Sequence, residues 1–252
     1  MKNFHSKQSK DAKGFWNKEY KKGKPGSRNT GSAKQRDKHL ALSNNPSEDL
    51  IKFTKWLERN DDLIKLNSHA SVLDLGCGNG RNLIYLAKTF GLRGVGYDVS
   101  IEAIKQAQTL SKDLRLKYET RSIAGKITEP DSSHSLVLDM MTSHFLNEAE
   151  RKNLINEIDR VLVPGGWLYL KTFFKEDDIN AAHLLKEHPA EEKGSYIHPK
   201  IGVAEHVFSE DEIKEALNEH FIIHKMLRSH RHVDRTGHAG KRRSISVYAQ
   251  KI

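Results

Sequence analysis

The chain has 252 residues, of which 37% are hydrophobic, and a formal charge of +9. This length suits one sizeable α/β domain with an appendage. No apolar run approaches the roughly 20 residues of a membrane span, and no secretory signal is visible. We therefore expect a cytoplasmic protein with no membrane partner. The single cysteine, Cys77, cannot form an internal disulfide, which fits a reducing compartment.

The positive charge is concentrated at the start of the chain. Residues 1–40 hold 12 Lys or Arg against three acids. With few aliphatic residues, such a segment buries too little surface to offset the entropy of ordering it. We predict a basic, largely flexible N-terminal segment over residues 1–45 and a globular domain over residues 46–252. Three aromatic residues between Phe15 and Tyr20 form the exception, since they are suited to pack onto that domain.

Strands and helices alternate through the globular domain. Apolar periodicity predicts helices at residues 47–60, 83–90, 101–110, 154–162 and 210–217, and strands at 70–75, 94–99, 114–118, 136–139, 167–173, 221–226 and 244–249. The last two strands have no helix between them, so we expect a hairpin. The expected fold class is α/β: a Rossmann-like doubly wound, mostly parallel seven-stranded sheet with an antiparallel last strand. The polar stretch 175–207 is weakly periodic and is predicted to be a lid.

Three glycines follow the first predicted strand. Gly76, Gly78 and Gly80 have G-x-G-x-G spacing, which suits a ligand that approaches the main chain closely. The dinucleotide fingerprint is instead G-x-G-x-x-G, and a nicotinamide site stays open as an alternative on the glycines alone. Asp98 ends the second strand, 20 residues beyond Gly78, where a carboxylate can accept hydrogen bonds from two ribose hydroxyls.

Three segments carry a family resemblance. Residues 72–82 (VLDLGCGNGRN), 95–100 (VGYDVS) and 162–166 (LVPGG) resemble motifs of the class I S-adenosylmethionine-dependent methyltransferases. The resemblance spans about residues 46–252 and implies a methyltransferase that uses S-adenosyl-L-methionine. Within the family, the Gly80-Arg81-Asn82 ending and the aromatic pair Trp16 and Tyr20 are most similar to the tellurite-resistance and thiopurine-type small-molecule branch.

The resemblance assigns cofactor contacts residue by residue. Asp74 is expected to meet the methionine ammonium, Asp98 the ribose hydroxyls and Val99 the adenine. Where the family often has an acid near the adenine amino group, this chain has Ser122, whose hydroxyl can donate or accept a hydrogen bond. The full expected cofactor set is Asp74, Gly76, Cys77, Gly78, Asn79, Gly80, Asn82, Asp98, Val99, Ser122, Ile123 and Asp139.

The methyl acceptor is expected near the end of the fourth strand. Asp139 and His144 follow that strand and are the candidate catalytic residues. His144 is either a general base, for which its ordinary pKa is suitable, or a packing histidine. Nine histidines lie between residues 183 and 238, but no cysteine pair or zinc motif accompanies them, so no metal is predicted.

Three functions stay open on the sequence. A small-molecule acceptor is favoured, and six Lys or Arg in residues 228–243 would suit an anionic one. The alternative is an RNA methyltransferase that uses the basic tail and the 228–243 loop to contact phosphates. The third is a non-catalytic module that binds the cofactor without turnover. The sequence predicts no oligomeric state.

Overall fold

A computed structural model describes residues 5–22, 43–229 and 242–252, with side chains from residue 12 to 21 in the first of these ranges. Two features singled out above therefore lie outside the described residues: most of the basic N-terminal segment, and residues 230–241 of the basic loop. Within the described residues, no helix is long and apolar enough to cross a membrane.

The described strands form a seven-stranded sheet and a separate two-stranded sheet. The large sheet has the order β3-β2-β1-β4-β5-β9-β8. Its strands are β1 (Ser71–Leu75), β2 (Arg93–Asp98), β3 (Leu116–Thr120), β4 (His134–Met140), β5 (Leu162–Phe173), β8 (Phe221–Arg228) and β9 (Ser244–Lys251). The pairs among β1 to β5 are parallel, whereas β9 runs antiparallel to both β5 and β8. The predicted fold class is confirmed.

Helices cover both faces of this sheet. They are α1 (His5–Lys22), α2 (Glu48–Asn60), α3 (Arg81–Phe90), α4 (Ile101–Leu110), α5 (Glu148–Val161), α6 (Ile179–Glu187) and α7 (Glu210–Leu217). Apolar residues of α2, α3 and α4 pack on one face, and those of α5 and α7 pack on the other. Because helices cover both faces of the sheet, all five residues of β1 are buried.

The polar stretch 175–207 is more ordered than the sequence suggested. It contains α6 and the hairpin of β6 (Ser195–Ile197) and β7 (Ala204–His206). These elements are short, so their apolar periodicity is weak, and a buried ionic cluster supports them. The Arg242 guanidinium donates to Asp178 at 3.0 Å and to the Tyr196 hydroxyl of β6, and it lies 3.8 Å from the Glu205 carboxylate of β7. The hairpin is thereby tied to the base of β9.

Helix α1 packs against α4. The Asn17 side-chain oxygen accepts a hydrogen bond from the Ser100 hydroxyl at 2.9 Å, and the Gln106 amide donates to the Tyr20 carbonyl at 2.7 Å. The aromatic run thus contacts the domain, as its composition suggested. The division at residue 45 stays a prediction, because residues 23–42 are outside the described part of the chain.

Candidate functional site

A cavity of about 350 Å³ opens at the carboxyl ends of β1, β2, β4 and β5. This is the edge where parallel α/β sheets bind ligands. Most of its wall comes from the loops that follow these strands, from α1 and from the start of α3, with Ser47 at the N-cap of α2. The lining residues include Trp16, Tyr20, Ser47, Gly76, Cys77, Gly78, Asn79, Arg81, Asn82, Asp98, Val99, Arg121, Ser122, Ile123, Met140, Met141, Thr142, Phe145, Leu146, Glu150, Lys171 and Val203.

The glycine turn after β1 is built for close approach. Gly76, Gly78 and Gly80 have φ angles of +81°, +56° and +76°, a region that side chains disfavour. A Cβ atom at Gly76 would lie 2.1 Å from the Thr142 hydroxyl oxygen, and one at Gly78 would lie 2.3 Å from the Tyr20 hydroxyl. These glycine positions therefore have no room for a side chain.

Asp98 connects this turn to the end of β2. Its carboxylate accepts the Gly78 amide at 2.9 Å and the Ser100 amide at 2.7 Å. Burial raises the pKa of Asp98, and these two amide hydrogen bonds oppose the rise. The carboxylate also lines the cavity, so its remaining lone pairs are available to hydroxyl donors.

Asp74 is the most unusual ionisable group near the turn. Its side chain is 1% exposed, and Oδ2 has no hydrogen-bond partner in the described residues. Burial raises its pKa to about 7, and the neighbouring charge of Asp98 adds to the effect. A buried carboxylate oxygen without a donor is costly unless a cationic or hydrogen-bonding group meets it.

Helix α1 supplies part of the cavity wall, which sequence reasoning missed. Trp16 and Tyr20 line the cavity, and the Trp16 ring packs edge-on against Phe145 at 6.1 Å. Burial raises the pKa of Tyr20, with a contribution from the charge of Asp98, so the phenol stays protonated. The aromatic run had predicted packing onto the domain, but nothing in its spacing indicated a place beside the glycine turn.

The wall beyond β4 is largely apolar. Met140, Met141, Phe145 and Leu146 line it. Met141 has a φ of +63°, which is unusual for a residue with a side chain, and its amide donates to the Lys171 carbonyl at 2.7 Å. Such strain is typical of ligand sites and requires support from the surrounding structure.

Neither candidate catalytic residue reaches the cavity surface. Asp139 is 2% exposed, and it accepts a hydrogen bond from the Ser143 amide at 3.1 Å. Burial raises the pKa of Asp139 to about 6. His144 is also 2% exposed and lies between Phe145 and Phe173, and burial lowers its pKa to about 3. Its imidazole is therefore neutral and a weak base.

The remaining members of the expected cofactor set divide into two groups. Cys77, Asn79, Asn82, Val99, Ser122 and Ile123 line the cavity together with Gly76, Gly78 and Asp98. Asp74 and Gly80 lie behind this surface: Asp74 is buried beneath the turn, and Gly80 precedes α3, facing Tyr118. Burial raises the pKa of the Cys77 thiol well above its usual value, so Cys77 stays protonated.

Comparisons with known proteins agree with this geometry. A family model described as a methyltransferase domain matches residues 72–166. The chain is 28% identical over 126 residues to a norajmaline N-methyltransferase from Rauvolfia serpentina, covering 49% of this chain and 42% of that protein. It is 27% identical to a tRNA (carboxymethyluridine(34)-5-O)-methyltransferase from Arabidopsis thaliana, covering 60% of this chain and 35% of that one. The chain thus spans less than half the length of these curated relatives.

Among solved structures, the chain is similar to a SAM-dependent methyltransferase from Methanosarcina mazei. The two share 25% identity with a TM-score of 0.62, over 75% of this chain and 94% of the other. The structural match thus covers a larger share of the chain than residues 72–166. The narrower resemblance to the tellurite-resistance and thiopurine-type branch stays a prediction.

Proposed function

We propose that this chain, which belongs to the class I S-adenosylmethionine-dependent methyltransferases, transfers a methyl group from S-adenosyl-L-methionine to a small-molecule acceptor. The observation that carries the proposal is a turn whose glycine positions have no room for a Cβ atom, together with the buried carboxylate of Asp74 and the half-buried carboxylate of Asp98. A nicotinamide dinucleotide requires a turn that binds pyrophosphate, whereas Asp74 and Asp98 favour a ligand with a cationic end.

The residues present fit this cofactor. Asp74 Oδ2 is buried beneath the turn that lines the cavity and has no hydrogen-bond partner in the described residues, and the ammonium of the methionine moiety is the kind of donor it requires. Asp98 lines the cavity with spare acceptor capacity for the ribose hydroxyls. Ile123 and Val99 offer apolar surfaces for the adenine. Trp16 and Tyr20 would close the cofactor end of the cavity from above the turn.

The cofactor supplies an electrophilic methyl group on a sulfonium. The work left to the chain is to hold an acceptor atom in line with that methyl and to exclude water, because orientation alone can provide a large part of the acceleration. Met140, Met141 and Phe145 form the apolar wall suited to this task. We assign His144 to packing beneath that wall, because its low pKa and its burial leave it unable to accept a proton from a bound molecule.

A transfer assay tests the proposal. The full chain is incubated with S-adenosyl-L-methionine carrying a labelled methyl group and with a panel of thiols, metalloid oxyanions, carboxylates and total RNA. The expected result is label on at least one small molecule, at a rate that falls at least about tenfold for Asp98→Ala because a charge-assisted hydrogen-bond acceptor is lost. Label on none of these compounds, while the cofactor binds, favours the non-catalytic module instead.

RNA is the second candidate acceptor, and one comparison favours it: the tRNA methyltransferase relative aligns over 60% of this chain. Exposed lysines at positions 13, 18 and 21 of α1 lie on the helix that borders the cavity. If RNA is the acceptor, RNA binding should weaken steeply as salt rises, because phosphate contacts release counterions. If the acceptor is a small molecule, the rate of methyl transfer to it should not fall steeply as the salt concentration rises.

A further inference from the structure

We propose that the acceptor is a small organic molecule with an apolar body and an anionic group, such as a carboxylate, and that Lys171 binds this group. The inference rests on the proposed function, since it concerns the half of the same cavity that the cofactor does not fill. The key features are the position of Lys171 at the end of β5, the way its charge is shared, and the apolar surfaces around it.

Lys171 is placed on the acceptor side by the sheet. It pairs with Met140 across β4 and β5, and β5 is separated from β1 by the whole of β4. The glycine turn and Asp98 belong to β1 and β2, on the opposite side of the cavity. Lys171 therefore lies with the apolar wall and away from the residues proposed to hold the cofactor.

The direction of the Lys171 side chain follows from its strand. Residues 169 and 171 share a face of β5, and the Tyr169 ring stacks on Phe53 of α2 at 4.9 Å. One turn earlier on α2, Asp49 accepts a hydrogen bond from Lys171 Nζ at 2.6 Å. The ammonium is thus fixed at the cavity wall, with 19% of the side chain exposed.

The Asp49 carboxylate does not fully neutralise the charge of Lys171. Its other oxygen accepts from Lys52 at 3.3 Å, so two lysines share one acid and the trio carries a net positive charge. The two lysine bonds hold the pKa of Asp49 below its usual value against the opposing effect of burial, which keeps the acid ionised. An anion bound to Lys171 would neutralise this net positive charge, and Asp49 would remain paired with Lys52.

The other cations that line the cavity belong to other parts of its wall. Arg121 donates to Glu119 at 3.1 Å and belongs to the loop after β3, on the adenine side. Arg81 donates to the Asn45 carbonyl at 3.1 Å at the start of α3. Lys171 is the cavity-lining cation that faces the wall of Met140 and Phe145, within the described residues. The acid on this side, Glu150, accepts a hydrogen bond from the Asn147 amide at 3.0 Å in the capping box of α5. An apolar surface with an available cation is complementary to an organic anion.

Benzoate and its neutral analogue benzamide test this inference. Both are titrated by calorimetry into the full chain saturated with S-adenosylhomocysteine, which occupies the cofactor half without reacting. We expect benzoate to bind at least about tenfold more tightly than benzamide, in line with a hydrogen bond to a charged group. The preference should disappear in Lys171→Met and should persist in Lys171→Arg and in Lys55→Met. Lys55 is the matched control, because it is an exposed lysine of α2 that does not line the cavity and takes no part in the trio.

Several results would overturn the inference. They are no benzoate preference in the unmodified chain, or a preference that survives in Lys171→Met. A loss of S-adenosylhomocysteine affinity in Lys171→Met would instead assign the lysine to the cofactor carboxylate. Binding of a short RNA that depends on Lys171, without benzoate binding, would assign it to a nucleic acid. Failure of S-adenosylhomocysteine to bind the unmodified chain would count against the proposed function itself, and is thus distinguishable.

Discussion

The two halves of the cavity are built in different ways. The cofactor half consists of short segments at the ends of three neighbouring strands: the glycine turn after β1, the end of β2 and the loop after β3. Main-chain hydrogen bonds to Asp98 and to the Tyr97 carbonyl join the first two. The acceptor half combines the loop after β4, the end of β5, the turn before β7 and Ser47 at the N-cap of α2, and α1 borders both halves. The first half depends on local geometry, and the second on tertiary packing.

This difference bears on where specificity resides. Local turns need particular residue types at fixed spacing, because only glycine adopts their φ angles without strain. Packed walls need only compatible volume and polarity, so distant segments can change without altering the turn. We therefore expect the cofactor half to define the chemistry and the acceptor half to define the molecule on which it acts.

Gly76→Ala should have the largest effect, because it joins the two halves. The new Cβ would meet the Thr142 side chain at 2.1 Å at a φ of +81°. We expect cofactor affinity to fall more than about 100-fold and the free energy of unfolding to fall by about 2 kcal/mol or more. Titration calorimetry and urea denaturation measure the two quantities.

Gly202→Ala is the matched control for that substitution. Gly202 has a similar φ of +75°, but no atom of the described residues lies within 4 Å of the added Cβ. It should show the cost of backbone strain alone, about 1 kcal/mol in stability, with unchanged cofactor affinity. Equal effects of the two substitutions on affinity would show that the contact between the halves is unimportant.

Trp16→Ala should have the next largest effect, because α1 borders both halves. Trp16 packs against Phe145 on the acceptor side and lines the same cavity as Gly78. Removal of a large aromatic ring from such a position should weaken S-adenosyl-L-methionine binding by about 30-fold. Lys13→Ala, an exposed change on the same helix, should leave affinity unchanged. If both variants bind equally well, α1 does not contribute to the cofactor half.

The pH dependence of binding sharpens the role of the cofactor half. Burial raises the pKa of Asp74 to about 7. The cofactor-free fold therefore holds this proton more tightly than the unfolded chain, and the associated stability is lost as pH rises from about 4 to 7. A cationic ligand favours the ionised acid, so affinity should rise about tenfold between pH 6 and pH 8. Calorimetry at several pH values should show this slope in the unmodified chain, and Asp74→Asn should abolish it.

His144→Leu should have the smallest effect. His144 Nδ1 is buried without a partner in the described residues, and the ring packs among Phe145 and Phe173. An apolar replacement removes an unsatisfied polar atom, so we expect unfolding free energy to change by less than about 1 kcal/mol and cofactor affinity to stay the same. A loss of methyl transfer with unchanged binding and stability would restore His144 as a catalytic base.

The sequence predicted the two halves unequally, for the same physical reason. The order of strands and helices, the hairpin of β8 and β9 and the residues of the glycine turn follow from local periodicity and spacing. Trp16 and Lys171 were missed as cavity residues, because their positions depend on packing against segments more than 100 residues away in the chain. The hairpin of β6 and β7 was missed because three-residue strands leave no periodic signal.

Calorimetric titration of S-adenosyl-L-methionine into the unmodified chain and into Asp98→Ala tests the central claim most directly. Asp98 both supports the Gly78 amide and faces the cavity, so its loss removes the ribose acceptor as well as a contact of the turn. We predict one binding site in the unmodified chain and an affinity at least about tenfold weaker in the variant, with circular dichroism unchanged. Absence of binding to the unmodified chain, or equal affinity for both proteins, would contradict the account.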